Sequence, residues 1–181
     1  MNALMQKLTH PALNINADAT QYTVGGGVEK IDVVFCGDVK GPIKAMPKKS
    51  DGGITSYFIK HYATISALGH SATPVYIVSD DSMDENDIDI YKVMHLGNGT
   101  NVGSEGYLVF LKSRSPNGAF YRWHLERVLV PFVNELRRAY AIDDDVPAWY
   151  QLDGEKEQLA PYDDKHILDL LACCSVVRTL S

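Results

Sequence analysis

Asn16-Ala17-Asp18-Ala19-Thr20-Gln21-Tyr22 and Trp149-Tyr150-Gln151-Leu152-Asp153-Gly154-Glu155 are the two stretches whose reading decides the fold. Each puts an aspartate in, or just after, a run that reads as a strand. The first belongs to residues 13–24, which alternate loosely between apolar and polar and close on the flexible turn Gly25-Gly26-Gly27. The second closes a short apolar run, 146–152, that follows the polar break Asp143-Asp144-Asp145. Carboxylates on neighbouring strands can hold two divalent ions a few ångströms apart, which sequence neighbours cannot, and phosphodiester chemistry needs that spacing.

Between the two aspartates the clearest element is a helix over residues 117–140. Ser115 and Pro116 suit its N-cap and first helical position. Phe120, Leu125, Val128, Leu129, Phe132, Val133 and Leu136 recur at three- and four-residue steps and make one face apolar. Pro131 interrupts that pattern and is expected to kink the helix or split it in two. Outward from it, residues 57–68 and 73–79 read as a hairpin around Gly69-His70-Ser71-Ala72. Residues 32–36 and 106–112 read as short strands, 44–53 as an exposed loop, and 164–177 as a final helix. Antiparallel strands followed by alternating elements imply a mixed α/β sheet with helices on its faces.

Length and composition fit one ordinary globular domain over residues 1–181: 45% hydrophobic, 22% charged. No apolar run reaches membrane-spanning length, and the first residues lack the apolar core of a signal peptide, so an intracellular protein is expected. Cys36, Cys173 and Cys174 make a poor disulfide framework and read as small buried hydrophobes. Net charge is −6, the wrong sign for a free-standing nucleic-acid binder, although much of the acidity is local to Asp80, Asp81, Asp84, Glu85, Asp87 and Asp89. That run reads as a solvated loop.

The surrounding residues add a resemblance. Asn16–Tyr22 resembles the Asn-x-Asp-Glu-Thr-Gly box around the first catalytic aspartate of DDE superfamily endonucleases, the catalytic domains of pogo-like, jerky-like and centromere-protein-B-like transposases. Residues 63–78 look like that family's second and third strands, with an Ile-Ser-Ala-x-Gly turn. Residues 120–135, with Trp123 and Val128-Leu129-Val130-Pro131-Phe132-Val133, are similar to its helix ending in a Phe-Ile-Pro-like element. Gln151-Leu152-Asp153-Gly154-Glu155 resembles the Leu-Asp-Gly/Asn box at its second aspartate. The four boxes, in the family's order, span most of residues 13–158.

The resemblance implies an α/β, ribonuclease-H-like fold, Asp18 and Asp153 as catalytic and metal-holding residues, and Mg²⁺ or Mn²⁺ as cofactor. It further implies DNA as the partner, cutting and joining of its strands, a nuclear location and scope for a homodimer. Lys112, Arg114 and Arg122 are candidate backbone contacts. Ala19 stands where the family has Glu, and the wide separation of Asp18 from Asp153 implies insertions at 30–55 and 80–105. Asp38, after Phe35-Cys36-Gly37, rivals Asp18 as the first acid. The family's third acid is expected beyond Ser181, with Glu155 and Asp169 the internal substitutes, and its helix-turn-helix before Leu13. A catalytic core that is incomplete in this chain, with negligible DNA cleavage, is one expectation; a decayed or domesticated non-catalytic binding module is the other.

Other signals are bland. Gly25-Gly26-Gly27 lacks the Gly-Lys-Ser/Thr of a phosphate loop. His61, His70, His95, His124 and His166 show no ligand spacing and read as surface or packed histidines. Trp123 and Trp149 read as core residues.

Overall fold

The computed structural model describes residues 10–24, 34–35, 48–49, 55–95, 104–113, 115–152 and 159–180. In chain order the strands are β1 (Asn14–Val24), β2 (Val34–Phe35), β3 (Lys48–Lys49), β4 (Thr55–Ser66), β5 (Val75–Ser79), β6 (Asp89–His95) and β7 (Ser104–Leu111). Then come helix α1 (Gly118–His124), a π-helical segment (Leu125–Leu129), α2 (Val130–Tyr140), β8 (Ala148–Leu152), α3 (Lys165–Cys173) and β9 (Val176–Leu180). Short 3₁₀ turns at Pro11–Leu13 and Ala160–Asp163 precede β1 and α3. The protein is a mixed α/β structure, as expected.

The chain forms two compact units. One comprises Met1–Asp18, Ala63–Thr73 and Asn117–Ser181; the other comprises Ala19–Tyr62 and Pro74–Pro116. In the first, β1 and β8 are parallel neighbours, in the register Asn14↔Trp149, Ile15↔Tyr150, Asn16↔Gln151. β8 and β9 are also parallel, from Ala148↔Val176 to Leu152↔Leu180. Parallel neighbours require a crossover, and here α3 provides it between β8 and β9. In the second, the strand order is β2-β6-β7-β5-β4. β4 and β5 form the expected antiparallel hairpin, Ile59↔Val78 to Tyr62↔Val75. β5 and β7 are parallel, β6 and β7 antiparallel.

The helix forms where the periodicity places it. Its N-cap is Asn117 rather than Ser115: the Asn117 Oδ1 accepts from the Phe120 amide at 2.9 Å. Asparagine is among the strongest capping residues, and Pro116 lies buried just before it. Pro131 splits the helix by a specific device. It has no N–H to donate, and its ring crowds the carbonyl four residues back. The chain answers with the π turn Leu125–Leu129, in which the Val130 amide donates to the Leu125 carbonyl. The expected apolar face is buried throughout: Leu125, Leu129, Phe132 and Leu136 are each at most 5% exposed. Each such side chain contributes about 1.5–3 kcal/mol before entropy is subtracted.

Three elements depart from expectation. Lys48–Lys49, inside the expected loop over 44–53, form β3 and pair antiparallel with Thr55 and Ser56 of β4. Residues 89–95, inside the expected acidic insertion, form β6, whose Val93 joins Leu108 and Phe110 in a small core, with Tyr76, Val78, Met83 and Tyr91 against it. Residues 164–177 do not form one helix. α3 ends at Cys173, Ser175 turns through φ 50, and the β-branched run Val176-Val177-Arg178-Thr179 pairs with β8. Cys173 is exposed and Cys174 half-buried, not buried as expected; Cys36 lies outside the described residues. Trp123 and Trp149 are half-buried. No described helix is long and apolar enough to cross a membrane.

Candidate functional site

Strand β1 turns alternate residues to opposite faces. Ile15 and Ala17 are buried, whereas Asn14, Asn16 and Asp18 are exposed. The same alternation runs along β8, where Ala148 and Tyr150 are buried and Gln151 is exposed. The strand register lines up two cross-strand rows on this outer face. One is Asn14, Trp149 and Val177; the next is Asn16, Gln151 and Thr179. Asp18 lies two residues beyond Asn16 on β1, on the same exposed face.

Asp153 follows Gln151 by the same two residues in sequence but lies outside the described residues, as do Asp38, Glu155 and Arg114. Asp169 is exposed on α3. Arg122 is engaged: its guanidinium pairs with Asp164 at 3.0 Å, joining α1 to the N-cap of α3. His166 of α3 and Glu126 of the π-helical segment lie 3.5 Å apart. Lys112 is half-buried after β7. Among the described residues, no group of three or more His, Cys, Asp or Glu side chains is placed to hold a metal ion.

The inner face is built from packed rings. His124 is fully buried, with Phe120 and Tyr150 stacked at 6.0 and 6.4 Å between ring centroids. Its Nε2 lies 2.8 Å from the hydroxyl of buried Thr64 on β4. Burial holds the imidazole down to about 3, so it is neutral at physiological pH. Thus α1 packs against β4 and β8 on the inner face, opposite the face of β1 that carries Asn14, Asn16 and Asp18. His124 is a packed histidine, in keeping with its lack of ligand spacing.

At the end of α2, Arg137 is 4% exposed and faces no carboxylate within ion-pairing distance among the described residues. Its guanidinium donates instead to the carbonyls of Asp143, Val146 at 2.6 Å and Cys174 at 3.1 Å. A surface cavity of about 390 Å³ beside it is lined by Asn134, Arg137, Arg138, Ile142 and Asp144, none of them a sequence-predicted site residue.

Sequence reasoning missed Thr179, because the start of its strand was read as the end of a helix over 164–177, and missed Arg137. The available signal for Thr179 was the β-branched run at 176–179. No protein family, curated protein or solved structure matches this chain.

Proposed function

We propose that the protein is a ribonuclease-H-like core of the transposase or endonuclease type, with Asp18 and Asp153 holding divalent metal for phosphoryl transfer on DNA. The observation that carries this reading is the parallel pairing of β1 with β8. Its last registered pair before the acids, Asn16↔Gln151, precedes Asp18 and Asp153 by two residues each. The reading requires that arrangement and would fail with the strands apart or antiparallel. The exposed carboxylate of Asp18 is a hard oxygen donor beside the polar groups of Asn16 and Gln151, a donor set that suits Mg²⁺ or Mn²⁺.

When bound, the metal pair would supply the clamp on attacking and leaving oxygens. The residues of this chain would do the rest. Asp18 and Asp153 would position the ions, and Asn16, Gln151 and Thr179 would offer hydrogen-bonding groups along the same face.

The test is a Mg²⁺ or Mn²⁺ titration followed through the backbone amides of Asp18 and Asp153 by NMR. Saturable shifts at both, with dissociation constants on the order of millimolar and lost in Asp153→Ala, are expected. A well-folded protein whose amides ignore both metals would overturn the reading. Nicking of supercoiled plasmid in Mn²⁺, abolished separately by Asp18→Asn and Asp153→Asn, would show that Glu155 or Asp169 completes the carboxylate set.

A further inference from the structure

Cys173 is the exposed last residue of α3, and Cys174 is its half-buried C-cap. The two thiols are near enough to interact electrostatically. Burial pushes the Cys174 thiol up, Cys173 adds to that, and Arg137 and a hydrogen bond from Asn134 oppose it. Cys173, the exposed thiol, is the one a dissolved oxidant reaches first, and Cys174 stands next to it in the chain as a resolving thiol.

We propose that Cys173 and Cys174 form a peroxide-responsive dithiol whose oxidation releases the Arg137 clamp on the start of β8. In the first step the Cys173 sulfur attacks a hydroperoxide, breaking its O–O bond, to give a sulfenic acid and one water or alcohol. In the second the Cys174 thiol attacks that sulfur, forming the S–S bond and expelling water. Two thiols lose two electrons and two protons, and the peroxide takes them up.

The product cannot sit in the present backbone. Consecutive Cα atoms across a trans peptide are 3.8 Å apart. Ordinary disulfides place them about 4.4–6.8 Å apart. Rotation leaves that spacing unchanged, so the ring stays strained, easy to reduce and better suited to a switch than to a staple. Successive side chains of a helix diverge by about 100°, whereas a disulfide needs its Cβ atoms about 3.5–4.5 Å apart, so closing the ring turns the 173–174 peptide out of helical geometry.

What moves is defined by the hydrogen bonds there. The Cys174 amide donates to the Leu170 and Leu171 carbonyls, both at 3.2 Å. The Cys174 carbonyl accepts from Arg137 at 3.1 Å. Arg137 also holds the carbonyls of Asp143 and Val146, which lead into β8. Next along the chain, the Ser175 carbonyl accepts from the Ala148 amide, the first residue of β8, at 2.8 Å. Rotating the 173–174 peptide thus disturbs one cation that ties α2, the β8 entry and the α3–β9 turn together.

The experiment treats the full chain with hydrogen peroxide, alkylates it, and reads peptides by mass spectrometry beside amide hydrogen exchange. We expect the peptide holding Cys173 and Cys174 to become lighter by two hydrogens and refractory to alkylation, with both changes reversed by dithiothreitol. Protection of the Ala148 amide should fall by about tenfold or more on oxidation, and Cys173→Ser treated identically should show no change. A disulfide-linked dimer, oxidation that stops at Cys173, or an internal disulfide with unchanged exchange at Ala148 would each overturn the proposal.

Discussion

His124 illustrates how one side chain couples the fold to pH. Its imidazole is neutral and buried against Thr64, Phe120 and Tyr150, and burial depresses its protonation to about 3. In the unfolded chain the same group titrates near the ordinary value of 6.5. Between those values the unfolded state binds the extra proton, so stability rises with pH there. It is fully present above about 6.5 and is lost progressively as pH falls toward about 3. The loss should be on the order of a few kcal/mol. Urea unfolding measured across this window should show a steep acid decline in the wild type that is flatter in His124→Gln, the difference between the two isolating the histidine. Parallel pH profiles would refute this account. At this scale Asp18 was legible in the sequence, because alternation of polar and apolar neighbours showed which way it points. His124 stands four residues after Phe120 and four before Val128, on the apolar stripe, and that spacing is the sequence signal that separates it from the exposed His70 and His166.

The helix from Gly118 to Tyr140 was the most legible element, since an apolar stripe at helical spacing can be satisfied in few other ways. Its ends were less so. Asn117 caps the start through its bond to the Phe120 amide, and Asn117→Ala should cost about 0.5–2 kcal/mol. At the other end, Ala141 adopts φ 51 and ψ 45 as the C-cap, a left-handed conformation that costs a residue with a Cβ about 1 kcal/mol. Ala141→Gly should recover up to about 1 kcal/mol, because glycine adopts this conformation freely and αL glycine is the usual helix stop. Thermal unfolding of the two variants should therefore move in opposite directions. A fall for both would mean that the C-cap is held by contacts beyond its backbone conformation. Between the ends, Pro131 announced an interruption, and the π turn is the form it took.

For the whole molecule, charge sets the terms of any encounter with a polyanion. At net −6, long-range attraction to DNA is absent, and Arg122 is already paired with Asp164. Binding of duplex DNA, followed by fluorescence anisotropy, should be weak at about 50 mM salt and abolished by about 200 mM. Affinity that persists across that range would mean that apolar or metal-bridged contacts, not cations, carry binding. Adding Mg²⁺ should strengthen binding in the wild type and not in Asp18→Asn, as bridging through the candidate site requires.

The sequence by itself determined the α/β class, the β4–β5 hairpin, the apolar face of the long helix and the strand bearing Asp18. These are properties of local periodicity and turn chemistry, written within a dozen or so neighbouring residues. Only the tertiary structure decided the parallel direction and register of the β1–β8 pair, that residues 176–180 are a strand, and that Arg137 is buried. Strand pairing links residues 135 positions apart, as at Asn14↔Trp149, and a short run such as Val176–Leu180 takes its conformation from the partner that completes its hydrogen bonds. Arg137 differs from Arg138 only in facing three backbone carbonyls that the fold brings to it.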